Sequence, residues 1–430
     1  MKKGIVVLLI ALALLVIVAP GIVGMLAEKS VDDQMQWAEA ENQDLMITAE
    51  KFDRGWFSSQ GRHRIAFRDD AGAIAVKEML GLRDDEAFPA ILVDTTLNHG
   101  PIALASAGSP GGSLKPGLGN AVSTLSVETP DGEIIELPGA VYSSLGLTGD
   151  LNSTYTAEAG STDSGSWSDI NINFQSEAIS GDYSYDGAIE SLRFGDGDDG
   201  LSLADLSFSG DLTRSPFGFA VGDMSLEVDE MQVEPAGQPG FAMGPFLFAT
   251  RSAMDGDRVN MENTVSMSIA EVPALGPMRL DMLVDVNGVD GAALQGFIQK
   301  LQVVQSTGNT ATATDAIETE LLDLLAAGAD IHVRQLDVEL PQGTVKSQMN
   351  LAIKESDRDS FEWTSLLLAT QADVKLEVPE MIANMAMMMA PQPELIQGFL
   401  VRNGDVYELE AEYKKGIMTV NGMPLAIPVQ

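Results

Sequence analysis

The longest apolar stretch of the chain lies at its N-terminus. Two lysines, Lys2 and Lys3, precede an uncharged run of 23 residues, 4–26. As a helix rising about 1.5 Å per residue, this run is roughly 34 Å long, enough to span a hydrocarbon core of about 30 Å. The alternative is a cleaved signal peptide with Ile5–Val18 as its apolar region, but the apolar run continues beyond the expected cleavage site. The pattern therefore predicts an uncleaved inner-membrane anchor over 1–27, with a cytoplasmic N-terminus and a periplasmic body.

Beyond the anchor, apolar and polar residues alternate with the period of two that is typical of β-strands. The strand-like stretches are short and are separated by turn signals such as Asn287-Gly288. A stretch rich in Gly, Pro and Ser, 107–120, predicts a surface loop or hinge. The pattern indicates a mainly β (α+β) fold. We expect an N-terminal hairpin region over 28–110 and a long antiparallel meander over 121–430.

Helical spacing appears in the C-terminal half of the chain. The stretches 289–327 and 379–402 repeat apolar residues every three or four positions, as Leu321, Leu322 and Leu325 do. A sheet with one apolar face has to bury that face. We therefore expect these helices to pack on one face of the sheet.

Composition and charge exclude several classes of function. The chain has no cysteine, which removes disulfides, thiolate nucleophiles and cysteine-based metal sites. Its three histidines lie far apart along the chain, so we predict no metal site and no cofactor. The 63 acidic and 25 basic residues give a formal net charge of −38, which argues against nucleic acid as a partner. We interpret this negative charge as a means of keeping the protein soluble in a salty medium. The alternative is a surface that binds cations or a basic partner.

The segment KFDRGWFSSQGRHRIAF, residues 51–67, combines a turn, aromatic residues, two serines and several basic residues. Alternation along it places one set of side chains inside and the other outside. The inward set is Phe57, Ser59, Gly61, Ile65 and Phe67. The outward set is Trp56, Ser58, Gln60, Arg62, Arg64 and Arg68. The segment is therefore predicted to be an architectural hairpin beginning at the turn Asp53-Arg54-Gly55, with no catalytic residue.

A serine-dependent hydrolase is the alternative for the same segment. Ser58 or Ser59 would be the nucleophile, and His63 or His99 with Asp94 would complete a triad in space. However, the segment lacks the second glycine of G-x-S-x-G and lies at a hairpin instead of a strand-to-helix turn. We therefore favour a non-catalytic role.

Basic residues are concentrated in this part of an otherwise acidic chain. The members of the cluster are Lys51, Arg54, Arg62, Arg64 and Arg68. Contact of this basic surface with anionic headgroups or with an acidic partner is one interpretation. Pairing with neighbouring carboxylates is the interpretation we favour.

Two short polar segments raise the question of ligands. Asn98-His99-Gly100-Pro101 predicts a turn, in which His99 is more often structural than a metal ligand or proton donor. The acidic segment 195–200, GDGDDG, suggests calcium but fails the EF-hand spacing, in part because a serine occupies the position of the bidentate glutamate. A charged hairpin turn is the favoured interpretation.

Methionines crowd the predicted helix near residue 385. They are Met381, Met385, Met387, Met388 and Met389. Methionine suits irregular or adaptable apolar surfaces. Core packing is the simpler interpretation. The alternative is that Met381, Met385, Met388 and Met389 form one wall of a groove for an acyl chain or for a partner's apolar segment.

Four segments, in this order, resemble the YdgA-like family of bacterial envelope proteins of unknown function. They are the apolar run behind the two lysines, RGWFSS at 54–59, NHGP at 98–101 and YKKGIMTVNGMPL at 413–425. The resemblance covers the full length, although the middle matches only in pattern. It implies an inner-membrane-tethered periplasmic protein with no established reaction.

These observations lead to a hypothesis of a non-catalytic binding or scaffolding protein of the cell envelope. A groove between sheet and helices would hold a lipid or another apolar ligand. The alternatives are the serine hydrolase described above and a structural partner of an envelope protein complex.

Overall fold

A computed structural model describes residues 45–54, 58–67, 88–99, 117–129, 132–162, 165–196, 199–234, 240–272, 275–307, 310–358, 361–389 and 398–425. The chain divides into two compact units. The first comprises Met1–Arg214, Met231–Gly240 and Leu301–Ala311. The second comprises Ser215–Glu230, Phe241–Lys300 and Thr312–Gln430. The predicted anchor lies outside the described residues, and no helix within them is long and apolar enough to cross a membrane.

Short antiparallel strands build the first unit. They are β1 (Leu45–Arg54), β2 (Ser58–Phe67), β3 (Ala90–His99), β4 (Gly117–Glu128), β5 (Ile134–Glu136), β6 (Ala140–Gly146), β7 (Leu151–Ala157), β8 (Gly160–Thr162), β9 (Gly165–Trp167), β10 (Ile170–Ser176), β11 (Tyr183–Asp196) and β12 (Asp199–Arg214). Hydrogen bonds join them in the order β1–β2–β3–β4–β6–β7–β10–β11–β12. β5 pairs with β4, and the β8–β9 hairpin pairs through β9 with β11.

Longer strands and most of the helical residues build the second unit, which also contains the first part of β13 (Ala220–Glu234). The strands that follow are β14 (Phe241–Asp255), β15 (Arg258–Val272), β16 (Gly276–Asp290), β17 (Ala329–Leu340), β18 (Gly343–Ile353), β19 (Thr370–Pro379), β20 (Val401–Asn403), β21 (Val406–Lys414), β22 (Ile417–Val420) and β23 (Met423–Leu425). They pair antiparallel in the order β14–β15–β16–β17–β18–β19–β21–β22–β23, and β20 joins β21.

Four helices occur in the described ranges. They are α1 (Gly291–Thr307), α2 (Thr310–Ala326), α3 (Trp363–Ala369) and α4 (Glu380–Met389). The mainly antiparallel β fold predicted from alternation is therefore confirmed, and α1 and α2 lie where helical spacing placed them. Of the predicted helical stretch 379–402, α4 covers the first part and β20 contains the last two residues.

Three turn or loop predictions need correction. Asn287-Gly288, assigned to a turn between strands, lies inside β16 at an irregularity of its pairing with β15. The other two concern β3 and β4. Residues 117–120, assigned to the Gly- and Pro-rich loop, begin β4. Asn98 and His99, assigned to a turn, end β3. Glycine explains the differences in β3 and β4, because a Cβ on Gly119 would lie 2.9 Å from the carbonyl oxygen of Asn98. Gly119 therefore permits an unusually close approach of β3 and β4.

The core of the first unit lies on one face of its strands. Along β7, buried residues alternate with more exposed ones, as expected for a strand with one covered face. Ile65, Val93 and Val127 are among its most completely buried side chains. On the same face, the ring of Phe208 lies over Gly187, where a Cβ would be 2.4 Å from Cζ of the ring. Glycine at that position is what allows the aromatic ring to fill the space between strands.

The core of the second unit lies where the strands meet α1 and α2. The buried residues Val221, Val259 and Val289 pack against Leu294 of α1 and Leu324 of α2. The side chain of Asp290 accepts a hydrogen bond from the Ala293 N–H (2.9 Å) at the start of α1, which satisfies a free donor of the first turn. Gly328, with φ +78°, follows the end of α2 and permits the left-handed conformation that commonly terminates helices.

Candidate functional site

The RGWFSS segment spans the end of the first hairpin. Arg54 is the last residue of β1, Gly55, Trp56 and Phe57 lie outside the described residues, and β2 begins at Ser58. Ser58 is exposed and Ser59 is buried. The predicted alternation of β2 is therefore observed from Ser58 onward.

The basic residues of β2 are paired with carboxylates. Arg62 donates two hydrogen bonds of 2.7 Å to Asp94 on β3. Arg64 Nε lies 2.8 Å from Glu128 Oε2 on β4. Lys51 Nζ lies 2.7 Å from Asp53 Oδ2, whereas Arg68 lies outside the described residues. These pairs occupy the charges that a headgroup or an acidic partner would otherwise contact.

The register of β2 and β3 separates the members of the postulated triad. Asp94 pairs in register with Arg62, whereas His63 pairs with Val93, so Asp94 and His63 point to opposite faces of the sheet. Ser59 shares the face of His63, but four residues of extended strand separate them by about 13 Å. A nucleophile and its base need about 3 Å. The triad of Ser59, His63 and Asp94 proposed as the alternative is therefore not assembled, because the strand alternates its side chains.

His63 has an unusual environment for a histidine. Its side chain is 5% exposed, and neither ring nitrogen has a hydrogen-bond partner. Ala49 and Val93 are its neighbours on the adjoining strands. Burial in this apolar setting lowers the pKa of His63, because a low-polarity surrounding disfavours the charged imidazolium. The neutral ring is thus part of the core.

The two polar segments occupy ordinary structural positions. Asn98 Nδ2 donates to Asn120 Oδ1 (3.1 Å) across β3 and β4; Gly100 and Pro101 lie outside the described residues. At the GDGDDG segment, Asp196 of β11 pairs with Asp199 of β12; residues 197 and 198 lie outside the described residues. Within the described ranges, no group of three or more acidic or histidine side chains is placed to hold a metal ion.

In the second unit, apolar side chains stand opposite one another across a row of neighbouring strands, from β14 to β22. Residues that pair directly in an antiparallel ladder point to the same face of the sheet. Val265 of β15 pairs with Met282 of β16, which pairs with Leu336 of β17. Further members of this surface, which we call the apolar face, are Met243, Phe246, Phe248, Met261, Met267, Ile269, Met278, Leu280, Val284, Val333, Val338, Val345, Met349, Leu351, Val374, Leu376 and Leu409.

Among the described residues, cover over the apolar face occurs at its margins. Val259 and Val289 are buried beside α1 and α2. Val420 is buried on β22, next to Asn421, whose side chain donates to the Phe399 carbonyl oxygen (2.6 Å). Between these margins the apolar side chains are half-buried, and Phe248 is 36% exposed. The described residues thus leave a wide apolar surface partly open.

The opposite face of the same strands is charged. Arg334 contacts both Glu262 and Asp285 across three strands. Arg279 Nε donates to Asp281 Oδ2 (2.8 Å), and this hydrogen bond holds the pKa of Asp281 below its ordinary value. The sheet is therefore amphipathic, with ion pairs on one face and the apolar face on the other.

The methionines of α4 divide between two sides of the helix. Met387 is buried together with Ala383, whereas Met388 is 85% exposed and Met381 is also exposed. Met385 is half-buried. The side chain of Met389 lies outside the described residues. The exposed methionines point away from the core of the unit, and α4 contacts β19 and β21.

Sequence reasoning placed the apolar surface on the methionine-rich helix and missed the larger one on the strands. The signal was present in β16, where Met278, Leu280 and Met282 alternate with Arg279 and Asp281. Alternation in one strand predicts an apolar face. Only the register shows that neighbouring strands continue it.

The chain belongs to a family described as bacterial proteins of unknown function (DUF945), whose profile matches residues 1–428. No curated protein and no solved structure is significantly similar to this chain.

Proposed function

We propose that this protein is a non-catalytic, membrane-tethered protein of the cell envelope that holds an acyl chain or another apolar ligand against its apolar face. The observation that carries the proposal is the continuity of half-buried apolar side chains from β14 to β21. Monomeric soluble proteins rarely leave such a large contiguous apolar surface open without a binding role.

The dimensions and composition of the apolar face suit a flexible chain. Strands of 15 residues, such as β15, extend for roughly 50 Å at about 3.3 Å per residue. Methionines recur on the face: Met243, Met261, Met267, Met278, Met282 and Met349. Their unbranched side chains adapt to ligands of variable shape. Each methylene removed from water contributes about 0.8 kcal/mol, so affinity is expected to rise with acyl-chain length.

Two adjacent residues of β16 allow a matched test of this proposal. Met282 belongs to the apolar face, whereas Leu283 lies on the charged face, and both are half-buried. Met282→Asp should remove the lipid found by mass spectrometry with the natively purified protein. Leu283→Asp, which adds the same charge at a neighbouring position, should retain it. Thermal melts establish that both variants are folded, and Met282→Gln serves if the charged variant does not fold.

Loss of lipid from both variants, or from neither, would contradict the proposed site. A purified protein without any bound lipid or other apolar molecule would favour the scaffolding role, in which the apolar face contacts another envelope protein. The serine hydrolase remains a weaker candidate, because Ser59 is buried and its postulated partners are not brought together.

The location of the protein in the cell envelope is part of the same proposal. The uncharged run 4–26 behind Lys2 and Lys3 supports an inner-membrane anchor with a periplasmic body. The RGWFSS, NHGP and YKKGIM segments support the narrower assignment to the YdgA-like group. A tether at the membrane surface would place the apolar face within reach of lipid.

A further inference from the structure

Helix α3 and the β21–β22 hairpin form an exposed apolar patch at one end of the second unit. Leu368 is 67% exposed, Leu367 is 48% exposed and Ile417 is 62% exposed. None of the residues of α3 is buried. A short helix that exposes two adjacent leucines does not stabilise the unit through its own burial, so these side chains need another explanation.

Hydrogen bonds hold α3 against the hairpin and against the residue that follows β18. The Tyr413 hydroxyl of β21 donates to the Leu367 carbonyl oxygen (2.8 Å). The Leu368 side chain lies beside Gly416 in the hairpin turn, 3.9 Å from the position that a Cβ would take there. The Lys354 N–H donates to the Ala369 carbonyl oxygen (3.2 Å). The leucines and Ile417 are therefore presented together on a fixed framework.

Lysines surround this apolar patch. Lys414 and Lys415 lie in the hairpin, and Lys354 follows β18 beside the end of α3. None of the three forms an ion pair with another described residue. In contrast, Lys51, Arg62 and Arg64 in the first unit are all paired. Unpaired lysines beside exposed leucines stand out in a chain with a net charge of −38.

Acidic residues lie near both ends of α3. Trp363 Nε1 donates to the Glu318 carboxylate, and Glu362 precedes the helix. Glu355, next to Lys354, is paired with Arg258. The leucine end of α3 thus has three lysines near it, and its acidic neighbours there are Glu355, which is paired with Arg258, and Glu412, two residues before Lys414 on β21.

We propose that the patch formed by Leu367, Leu368, Ile417, Lys414 and Lys415 docks on an anionic lipid surface. Apolar side chains enter the boundary between headgroups and acyl chains, and neighbouring lysines attract anionic headgroups. This docking does not depend on a ligand at the apolar face. Tyr413 pairs with Ala372 on β19 and with Met418 on β22 and therefore lies on the same side of the sheet as the apolar face. Docking of the patch would thus also place the end of the apolar face at the membrane.

The absence of cysteine from the chain makes a site-specific test direct. Leu368→Cys in the full chain is labelled with a fluorophore that shifts to the blue in an apolar surrounding. The labelled protein is reconstituted into vesicles of phosphatidylcholine, with or without phosphatidylglycerol. We expect a blue shift, and quenching by lipid-borne spin labels, in the vesicles with phosphatidylglycerol. Ile417→Cys provides a second labelled position.

Two controls separate docking from mere tethering to the vesicle. Ile179→Cys labels an apolar residue of the first unit that is 87% exposed, and its emission should not change. Each near-surface lysine is expected to change the ratio of docked to undocked patch about fivefold. The double variant Lys414→Gln with Lys415→Gln should therefore lower this ratio about 30-fold. Lys346→Gln with Lys375→Gln removes the same charge from the charged face and should have no effect.

An unshifted Leu368 label in anionic vesicles would overturn the proposal. An equal shift in both kinds of vesicle, or an equal effect of the two lysine pairs, would overturn the role of anionic headgroups. A shift that occurs in detergent-solubilised protein and grows with protein concentration would assign the patch to a second copy of the chain instead. The two proposals fail separately. Lipid that co-purifies with the protein without a docked patch would support only the proposed function, and a docked patch without co-purified lipid would support only this inference.

Discussion

Replacing His63 by leucine tests whether a buried, unpartnered imidazole limits the stability of the first unit. The ring is 5% exposed and both of its nitrogens lack hydrogen-bond partners. A buried polar group without a partner costs about 1–3 kcal/mol, while an apolar replacement of similar volume usually costs less than about 1.5 kcal/mol in repacking. His63→Leu should therefore raise the free energy of unfolding by about 1–2 kcal/mol near pH 7.5.

The pH dependence gives the sharper part of this prediction. Burial lowers the pKa of His63 in the folded protein below its ordinary value of 6.5, whereas the unfolded chain titrates near that value. As the pH falls below about 6.5, the unfolded chain takes up a proton that the folded chain does not bind. Stability is therefore lost with falling pH, by at most about 1.4 kcal/mol per pH unit, until the folded-state pKa is reached. The leucine variant lacks this contribution.

Urea unfolding of both proteins between pH 5 and pH 8 measures the difference. The stability advantage of His63→Leu should grow as the pH is lowered, and the comparison cancels the titration of the many carboxylates. Nuclear magnetic resonance of the imidazole proton, assigned by its loss in the variant, reports the folded-state pKa directly. An imidazole that titrates at or above its ordinary pKa, or an advantage that stays constant with pH, would refute the reasoning.

Two further predictions follow from other parts of the chain. Gly187→Ala places a Cβ 2.4 Å from Cζ of the buried Phe208 ring and should lower the midpoint of thermal unfolding, at a cost of about 1–3 kcal/mol. Gly398→Ala, where no atom lies within 4 Å, is the control, and equal melting of the two variants would contradict the packing argument. The predicted anchor should remain on the mature protein; an intact mass lacking residues 1 to about 27 would show a cleaved signal peptide instead.

The candidate sites show how much the alternation of residues within one strand can predict. Alternation along β2 correctly separated Ser59 and Ile65 from Arg62 and Arg64, because side chains in a strand point to alternate faces. The same rule, applied to β3 as well, separates Asp94 from His63, but this requires knowing that Arg62 stands opposite Asp94. Pairing partners come from distant parts of the chain, and the sequence of one strand does not specify them.

What the sequence by itself determined was the kind of structure and its approximate order. Period-two alternation and turn residues predicted antiparallel strands, and the spacing of leucines predicted α1 and α2, because both signals depend on residues close together in the chain. The tertiary structure alone decided which strands are neighbours. It thereby joined Val265, Met282 and Leu336 into one apolar face and brought α3 beside the lysines of the β21–β22 hairpin. Such surfaces arise from register and from packing between distant segments, for which a single sequence carries no local signal.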